Sequence, residues 1–254
     1  MNFVCILIKL PLLKRLIPSL LRKLFIFFGK EQFKINFKNT ILEINIRDSI
    51  DRGIYFTQKY EENQFNELIY IIEKKHIEIF LDVGANSGIY SLLLSNKFDN
   101  LIIEAFEPIK STYQKFIRNI ENNKLTERIN AHNLGLSNKN KILKLQTHTK
   151  FEYKQSTAYS VSAIGDEKAE FRLADDLLNY KNKNILIKID TEGHEKFVLE
   201  GMQKLIKNNN IFLQIEIWKK NFKTVQEILN NFDFILLQKI EKEKSVHDYF
   251  FFKE

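Results

Sequence analysis

Three acidic residues each sit where an apolar run gives way to a turn. They are Asp82 in FLDVGANSG (Phe80 to Gly88), Glu107 in AFEP (Ala105 to Pro108) and Asp190 in ILIKIDTEGHEKFVLEG (Ile185 to Gly201). If the runs are strands of an open α/β sheet, all three lie at the edge where such sheets bind ligands. In the first motif a strand ends in a carboxylate and a glycine-containing turn opens a helix. Gly84 and Gly88 allow unusual backbone angles and close approach of a ligand, and the amides at the helix start face it. A dinucleotide site would want G-x-G-x-x-G, and here Asn86 stands where the middle glycine belongs. A carboxylate at Asp82 repels a pyrophosphate but suits the ammonium group of a bound amino acid, which points to S-adenosylmethionine rather than a nicotinamide dinucleotide.

Glu107 follows Asp82 by 25 residues, one strand-helix-strand unit later, and is placed to accept both ribose hydroxyls of a nucleoside. Capping of the next helix is its alternative use. Pro108 ends the strand. In the third motif Asp190, Glu192, His194 and Glu195 crowd one turn. Such a group suits a general base, a divalent-metal site, or a helix start favoured by negative charge. Capping accounts for Glu195 and for Glu192. It does not account for Asp190, which ends an apolar strand and would be desolvated for no return.

These motifs need strands and helices in alternation, and the chain supplies them. The stretch from Glu31 to Ile46 alternates as two short strands joined near Lys38-Asn39. Phe65, Leu68, Ile69 and Ile72 recur at helical spacing. IEIFLDV, LIIEAFE, INAHNLGLS, ILIKID and IFLQIEIW read as strands, with KILKLQT an edge or extra one. Helices are expected from Ser87 to Asn96, Ser111 to Asn123, at the start of LADDLLNY, through HEKFVLEGMQKLIKN, and from Lys223 to Asn231. FDFILLQKI and HDYFFFK form a closing hairpin, and the polar stretch 150–172 carries no clear pattern. The expectation is a mostly parallel sheet covered on both faces, with one antiparallel strand from the hairpin.

Composition narrows the class. The chain has 254 residues and a net charge of +7, but residues 1–30 hold six of the bases (Lys9, Lys14, Arg15, Arg22, Lys23, Lys30) and no acid, leaving 33 bases against 32 acids. The body is nearly neutral, so a basic stripe for nucleic acid is not expected. One cysteine, Cys5, permits no internal disulfide and suits a reducing cytoplasm. In the leader the bases interrupt apolar runs too short to span a bilayer. It reads either as a helix packed on the body or a second subunit, or as an interfacial helix, residues 1–28, at the inner membrane face. Pro11 and Pro18 would break or kink it. The expected organisation is a basic amphipathic segment (1–30), an N-terminal extension of short strands and helix (31–75), and a catalytic domain (76–254). Nothing in the sequence assigns an oligomeric state.

DVGANSG, AFEP followed by a helix ending in Asn119-Ile120-Glu121-Asn122-Asn123, and KIDTEGHE followed by VLEG together resemble the FkbM-type S-adenosylmethionine-dependent methyltransferases. The resemblance covers roughly Ile50 to Phe252. It implies a Rossmann-like class I methyltransferase fold with a seven-stranded sheet. Asp82, Gly84, Asn86 and Gly88 would hold the methionine part, Glu107 with Pro108 the ribose end, and Asp190 with Glu192 and His194 would sit beside the methyl group. It also implies a small-molecule or glycan acceptor, with O-methylation of a sugar hydroxyl. Where family members often carry Ala-Leu after the third strand, this chain has Gly135-Leu136. Asp190 is the expected base, His194 the second choice. A metal-free reaction is expected, because the sequence shows no ligand set beyond Asp190 and Glu192. A nicotinamide oxidoreductase and an inactive membrane-associated scaffold are the rival readings.

Overall fold

The computed structural model describes residues 13–147, 159–162, 164–242 and 244–254. The leader's first twelve residues, with Pro11, and residues 148–158, which include the start of the polar stretch 150–172, lie outside the described residues. Helix α1 (Leu13–Phe27) is followed by the hairpin β1 (Gln32–Phe37) and β2 (Thr40–Asn45), whose turn at Lys38 and Asn39 uses positive φ at both residues. Pro18 lies inside α1 and does not end it, although its nitrogen has no hydrogen to donate. Helix α2 (Ser49–Thr57), not expected from periodicity, is capped by Asp48, whose side chain accepts from Ile50 and Asp51 N–H. α3 (Glu62–Lys75) buries Phe65, Leu68, Ile71 and Ile72.

The alternating part follows as β3 (Ile79–Val83), α4 (Ile89–Lys97), β4 (Ile102–Phe106), α5 (Lys110–Asn122) and β5 (Ile129–His132). It resumes after an insertion with α6 (Ala174–Leu177), β10 (Asn184–Ile189), α7 (Glu195–Glu200), α8 (Gln203–Lys207), β11 (Asn210–Trp218), α9 (Phe222–Asn230), β12 (Ile235–Glu241) and β13 (Val246–Lys253). The main sheet has seven strands in the order β12-β13-β11-β10-β3-β4-β5. The pairs from β11 to β5 are parallel, and β13 runs antiparallel to both its neighbours. This is the expected sheet with its closing hairpin.

The strands are apolar on both faces because both are covered. Phe80, Leu186, Phe212 and Phe250 point to one side, where β2, α3, α4 and α5 pack. Leu81, Ile187, Leu213 and Phe251 point to the other, against α7, α8 and α9.

Two expectations change. INAHNLGLS is not one strand. β5 stays in the main sheet, and β6 (Gly135–Leu136) leaves it for a second, four-stranded sheet of order β6-β9-β7-β8, with β7 (Lys141–Thr147), β8 (Tyr159–Val161) and β9 (Glu167–Arg172). The switch occurs at Asn133, whose side chain donates to the carbonyls of Glu107 and Pro108. HEKFVLEGMQKLIKN is likewise two helices. Gly201 carries the break between α7 and α8, and the Ser137 carbonyl packs so closely there that a Cβ on Gly201 would lie 2.0 Å from it.

Candidate active site

The carboxyl ends of β3, β4, β10 and β11 open into a cavity of about 340 Å³. The turn after β3 forms its floor. Gly84 has φ +83°, and Gly84 and Ala85 both donate to the Phe106 carbonyl, which binds the turn to the end of β4. Both glycines are required by packing as well as by any ligand approach. A Cβ on Gly84 would stand 1.9 Å from the Asp190 carbonyl oxygen, and one on Gly88 would enter the Phe116 ring at 2.0 Å. Asn86 reaches φ +54° and lines the cavity. Asn119, from α5, donates to the Ser87 carbonyl and holds the turn from behind.

Glu107 lines the cavity from the end of β4. Its two oxygens accept from the Asn86 and Ile109 N–H groups at 2.9 and 2.8 Å. Each oxygen keeps a second lone pair. Burial pushes its pKa up to about 7 against the pull of those amides. Gly84, Asn86, Glu107, Pro108, Asp190, Glu192 and His194 all face this cavity, whereas Asp82 and Gly88 do not line it. Asp82 is 1% exposed and accepts the Ser91 hydroxyl at 2.7 Å behind the turn, with burial raising its pKa.

The other half of the cavity is ionic. Lys188, one step before the end of β10, is buried and bonds Asp190 at 3.2 Å with its ammonium 4.9 Å above the Tyr90 ring. Burial opposes charge on both groups, yet Lys188 is driven up by Asp190 and Asp82, and Asp190 is held below the usual carboxylate range by Lys188 and Lys242. Glu192 has φ +52° and turns its side chain to the cavity, where burial, then Asp190 and Glu195, push it to about 7. Glu195 instead closes the turn, accepting from Gly193 N–H at 2.8 Å and Thr191 Oγ1 at 3.2 Å. Capping thus explains Glu195 but not Glu192. His194 contacts Ser137 Oγ at 3.0 Å between Phe171 and Phe197, and burial lowers its pKa to about 4.

Residues 82–239 match the methyltransferase FkbM domain, more than half of the chain. The chain belongs to the FkbM methyltransferase family. It is therefore an S-adenosylmethionine-dependent methyltransferase of Rossmann-like class I fold, and the nicotinamide reading falls away. A curated relative, "Methyltransferase 1" of Beauveria bassiana (strain ARSEF 2860), is 26% identical over 209 residues, covering 72% of this chain and 78% of that protein. Among solved structures, a human methyltransferase 10 domain containing protein superposes with a TM-score of 0.52 at 12% identity, over 93% of this chain and 96% of that one. The hMettl16 catalytic domain, determined with an RNA hairpin, gives 0.53 at 12% identity over 93% and 80%. These two likenesses concern the fold alone.

The FkbM site also contains residues that the motifs did not flag, among them Lys188, in β10; Glu61, before α3; Glu216 and Trp218, at the end of β11; and Lys242, after β12. Lys242 bonds Glu61 at 2.5 Å and also contacts Glu216, and Glu61 accepts the Tyr90 hydroxyl at 2.7 Å. Glu216 is pushed to about 8 by burial and by Asp190, although Lys242 pulls the other way. A signal for two of the missed groups was present. Lys188 and Glu216 are charges inside otherwise apolar strands, a placement that is costly unless paired.

S-adenosylmethionine carries an amino-acid head, a positive sulfonium and a ribose, and the cavity's donors and acceptors fit all three. Asp190 and Glu192 supply negative charge for the ammonium of the head and for the sulfonium, and Glu107 has lone pairs free for hydroxyls, whereas the amides of Gly84, Ala85 and Asn86 are already committed to the Phe106 carbonyl and to Glu107. Oxygens of Asp190, Glu192 and Glu216 also lie within 4.8 Å of one another. That supplies the third acid that the sequence did not show. Lys242, in contact with Glu216, meets part of the same negative charge.

Proposed function

We propose that this FkbM enzyme methylates a hydroxyl of a sugar, on a glycan or glycan precursor of the capsule or lipopolysaccharide kind. The observation that carries the reading is the wall beyond Asp190. There Glu61, Glu192 and Glu216 offer acceptors, Lys188 and Lys242 donors, and Tyr60 and Trp218 aromatic faces. Alternating carboxylates and aromatic faces match a polyhydroxylated ring, whose hydroxyls need hydrogen-bond partners and whose C–H faces need apolar cover. A cytoplasmic location agrees with a single cysteine in the chain.

S-adenosylmethionine, when bound, supplies an electrophilic methyl group on a sulfonium. The protein aligns the acceptor oxygen in line with it and takes up the proton as the new C–O bond forms and the S–C bond breaks. Glu107 holds the ribose hydroxyls and the turn from Gly84 to Asn86 the methionine end. Asp82 acts from behind that turn, through Ser91, and Gly88 by letting Phe116 approach. Asp190 is a fixed negative charge facing the cofactor. Glu192 replaces it as proton acceptor, because its pKa of about 7 suits work near neutral pH and that of Asp190 does not. His194, with a pKa of about 4, positions Ser137 and the turn rather than accepting the proton. No step needs a metal ion.

The test is mass spectrometry with isotope-labelled methyl donor on nucleotide sugars, oligosaccharides, RNA and protein. Label on a sugar oxygen supports the assignment, and label confined to RNA or protein overturns it.

A further inference from the structure

Helix α1 has two apolar faces, and among the described residues only one is packed against the rest of the protein. Leu21, Phe25 and Ile26 pack on Ile46 and Phe56, and Phe25 stacks on Phe33 with ring centroids 5.3 Å apart. The other face carries Leu20, Leu24 and Phe27 and is continued by Phe28 just past the helix end; these are 61, 42, 82 and 67% exposed, with exposed Lys23 and Lys30 beside them. Two adjacent phenylalanines left in water at the end of a helix already anchored elsewhere mark a contact surface. Charge identifies the occupant. Residues 1–30 hold six bases and no acid, against 33 bases and 32 acids in all the rest. A second copy meeting this face symmetrically would bring like charges together, which opposes self-association. Among the described residues, no helix is long and apolar enough to cross a membrane.

From the exposed apolar stripe and the one-signed charge around it, we infer that α1 docks flat on an anionic lipid surface. Leu20, Leu24, Phe27 and Phe28 enter the acyl boundary, and Lys23 and Lys30 lie among the headgroups. The packed face makes the contact rigid. It bears on Phe56 of α2, and Ile50 of the same helix lines the active-site cavity. Docking therefore holds the cavity beside the bilayer, where an acceptor carried on a lipid is presented. The inference does not depend on the sugar reading, because vesicle binding is measured without any acceptor.

The test is flotation of the full-length protein with phosphatidylglycerol/phosphatidylcholine vesicles and with phosphatidylcholine alone. Binding is expected to acidic vesicles only and to fall as salt is raised. Lys23→Gln and Lys30→Gln should each weaken it about fivefold, from about 1 kcal/mol per base near the surface. Phe27→Ser with Phe28→Ser should weaken it by about tenfold or more. Melting temperature and S-adenosylmethionine affinity should stay unchanged in every variant, since these side chains touch solvent. Three outcomes overturn the inference. They are no binding to acidic vesicles, binding indifferent to both pairs of substitutions, and a stable wild-type dimer that the phenylalanine variant dissociates.

Discussion

Asp190 and Glu192 stand two positions apart and bear opposite electrostatic loads. Lys188 and Lys242 keep the first ionised, whereas burial and the neighbouring acids Asp190 and Glu195 keep the second poised near neutrality. Turnover should therefore rise with pH through about 7 as Glu192 loses its proton. Glu192→Gln should lower kcat on the order of 10²-fold or more and abolish that limb of the profile. Asp190→Asn, although nearly isosteric, strands a buried ammonium on Lys188. It should cost about 3 kcal/mol of stability, readable in urea unfolding, with Lys188→Met in the same chain recovering much of it. The raised carboxyls also act on stability in the absence of cofactor. A group whose pKa is higher in the folded state stabilises below its ordinary value and loses that contribution as pH rises through the folded value. Glu107, Glu192 and Glu216 all behave so, with folded values of about 7, 7 and 8. His194, depressed to about 4, contributes above 6.5 and loses its share on acidification. From pH 6.5 to 8 the loss from the three carboxyls outweighs the small remaining gain from His194, so the melting temperature of the cofactor-free protein should fall across that window. Glu216→Gln should flatten the fall.

At the scale of elements, the glycines separate two kinds of tightness. Gly201 has an unremarkable φ of −91°, yet the Ser137 carbonyl fills the place of its side chain. Gly201→Ala should cost about 1–3 kcal/mol as an overpacked contact between β6 and the α7–α8 break. Gly53, inside α2, has open space in the same test. Gly53→Ala should stabilise by about 0.4–1 kcal/mol. Thermal unfolding of the pair distinguishes a packing glycine from an incidental one. The contrast also explains what the sequence made legible. Strand tips at Asp82, Glu107 and Asp190 stand out because an acid at the end of an apolar run, with a glycine or proline within three residues, is a local pattern. The helix break at Gly201 and the departure of β6 from the main sheet did not stand out. Both depend on contacts between segments distant in the chain, Ser137 on Gly201 and Asn133 on Glu107. Gly135 belongs with them, since its missing side chain leaves room for the Phe171 ring, 2.3 Å from where a Cβ would be. Lys242 was hidden among neighbouring acids and bases in EKEKS, where a charge run ordinarily faces solvent.

Across the whole molecule, residues 31–75 do not form an appendage. Phe37, Leu42, Ile44, Ile54, Phe65, Leu68, Ile71 and Ile72 share one core with Phe80, Leu92 and Phe250 of the sheet and its helices. Polar ties add to this, with Gln64 donating to Asp248 at 2.9 Å and Lys242 joining Glu61 to Glu216. Loss of the four buried side chains of α3 alone removes about 6–12 kcal/mol of burial, comparable with the total stability of a domain. A protein beginning at residue 76 should fail to give a cooperative unfolding transition by circular dichroism, despite containing every recognised motif.

The order of strands at one edge has a consequence for synthesis. β13 follows β12 in the chain but lies inside it, between β11 and β12. While a ribosome is still making residues 246–253, β12 has no neighbour to pair with, and the exposed edge of β11 waits for a partner. Its own polypeptide can supply that partner only later. A nascent chain paused after β12 thus holds all three motif-bearing strands of the cofactor site in place while displaying an open apolar edge, the species on which a chaperone would act.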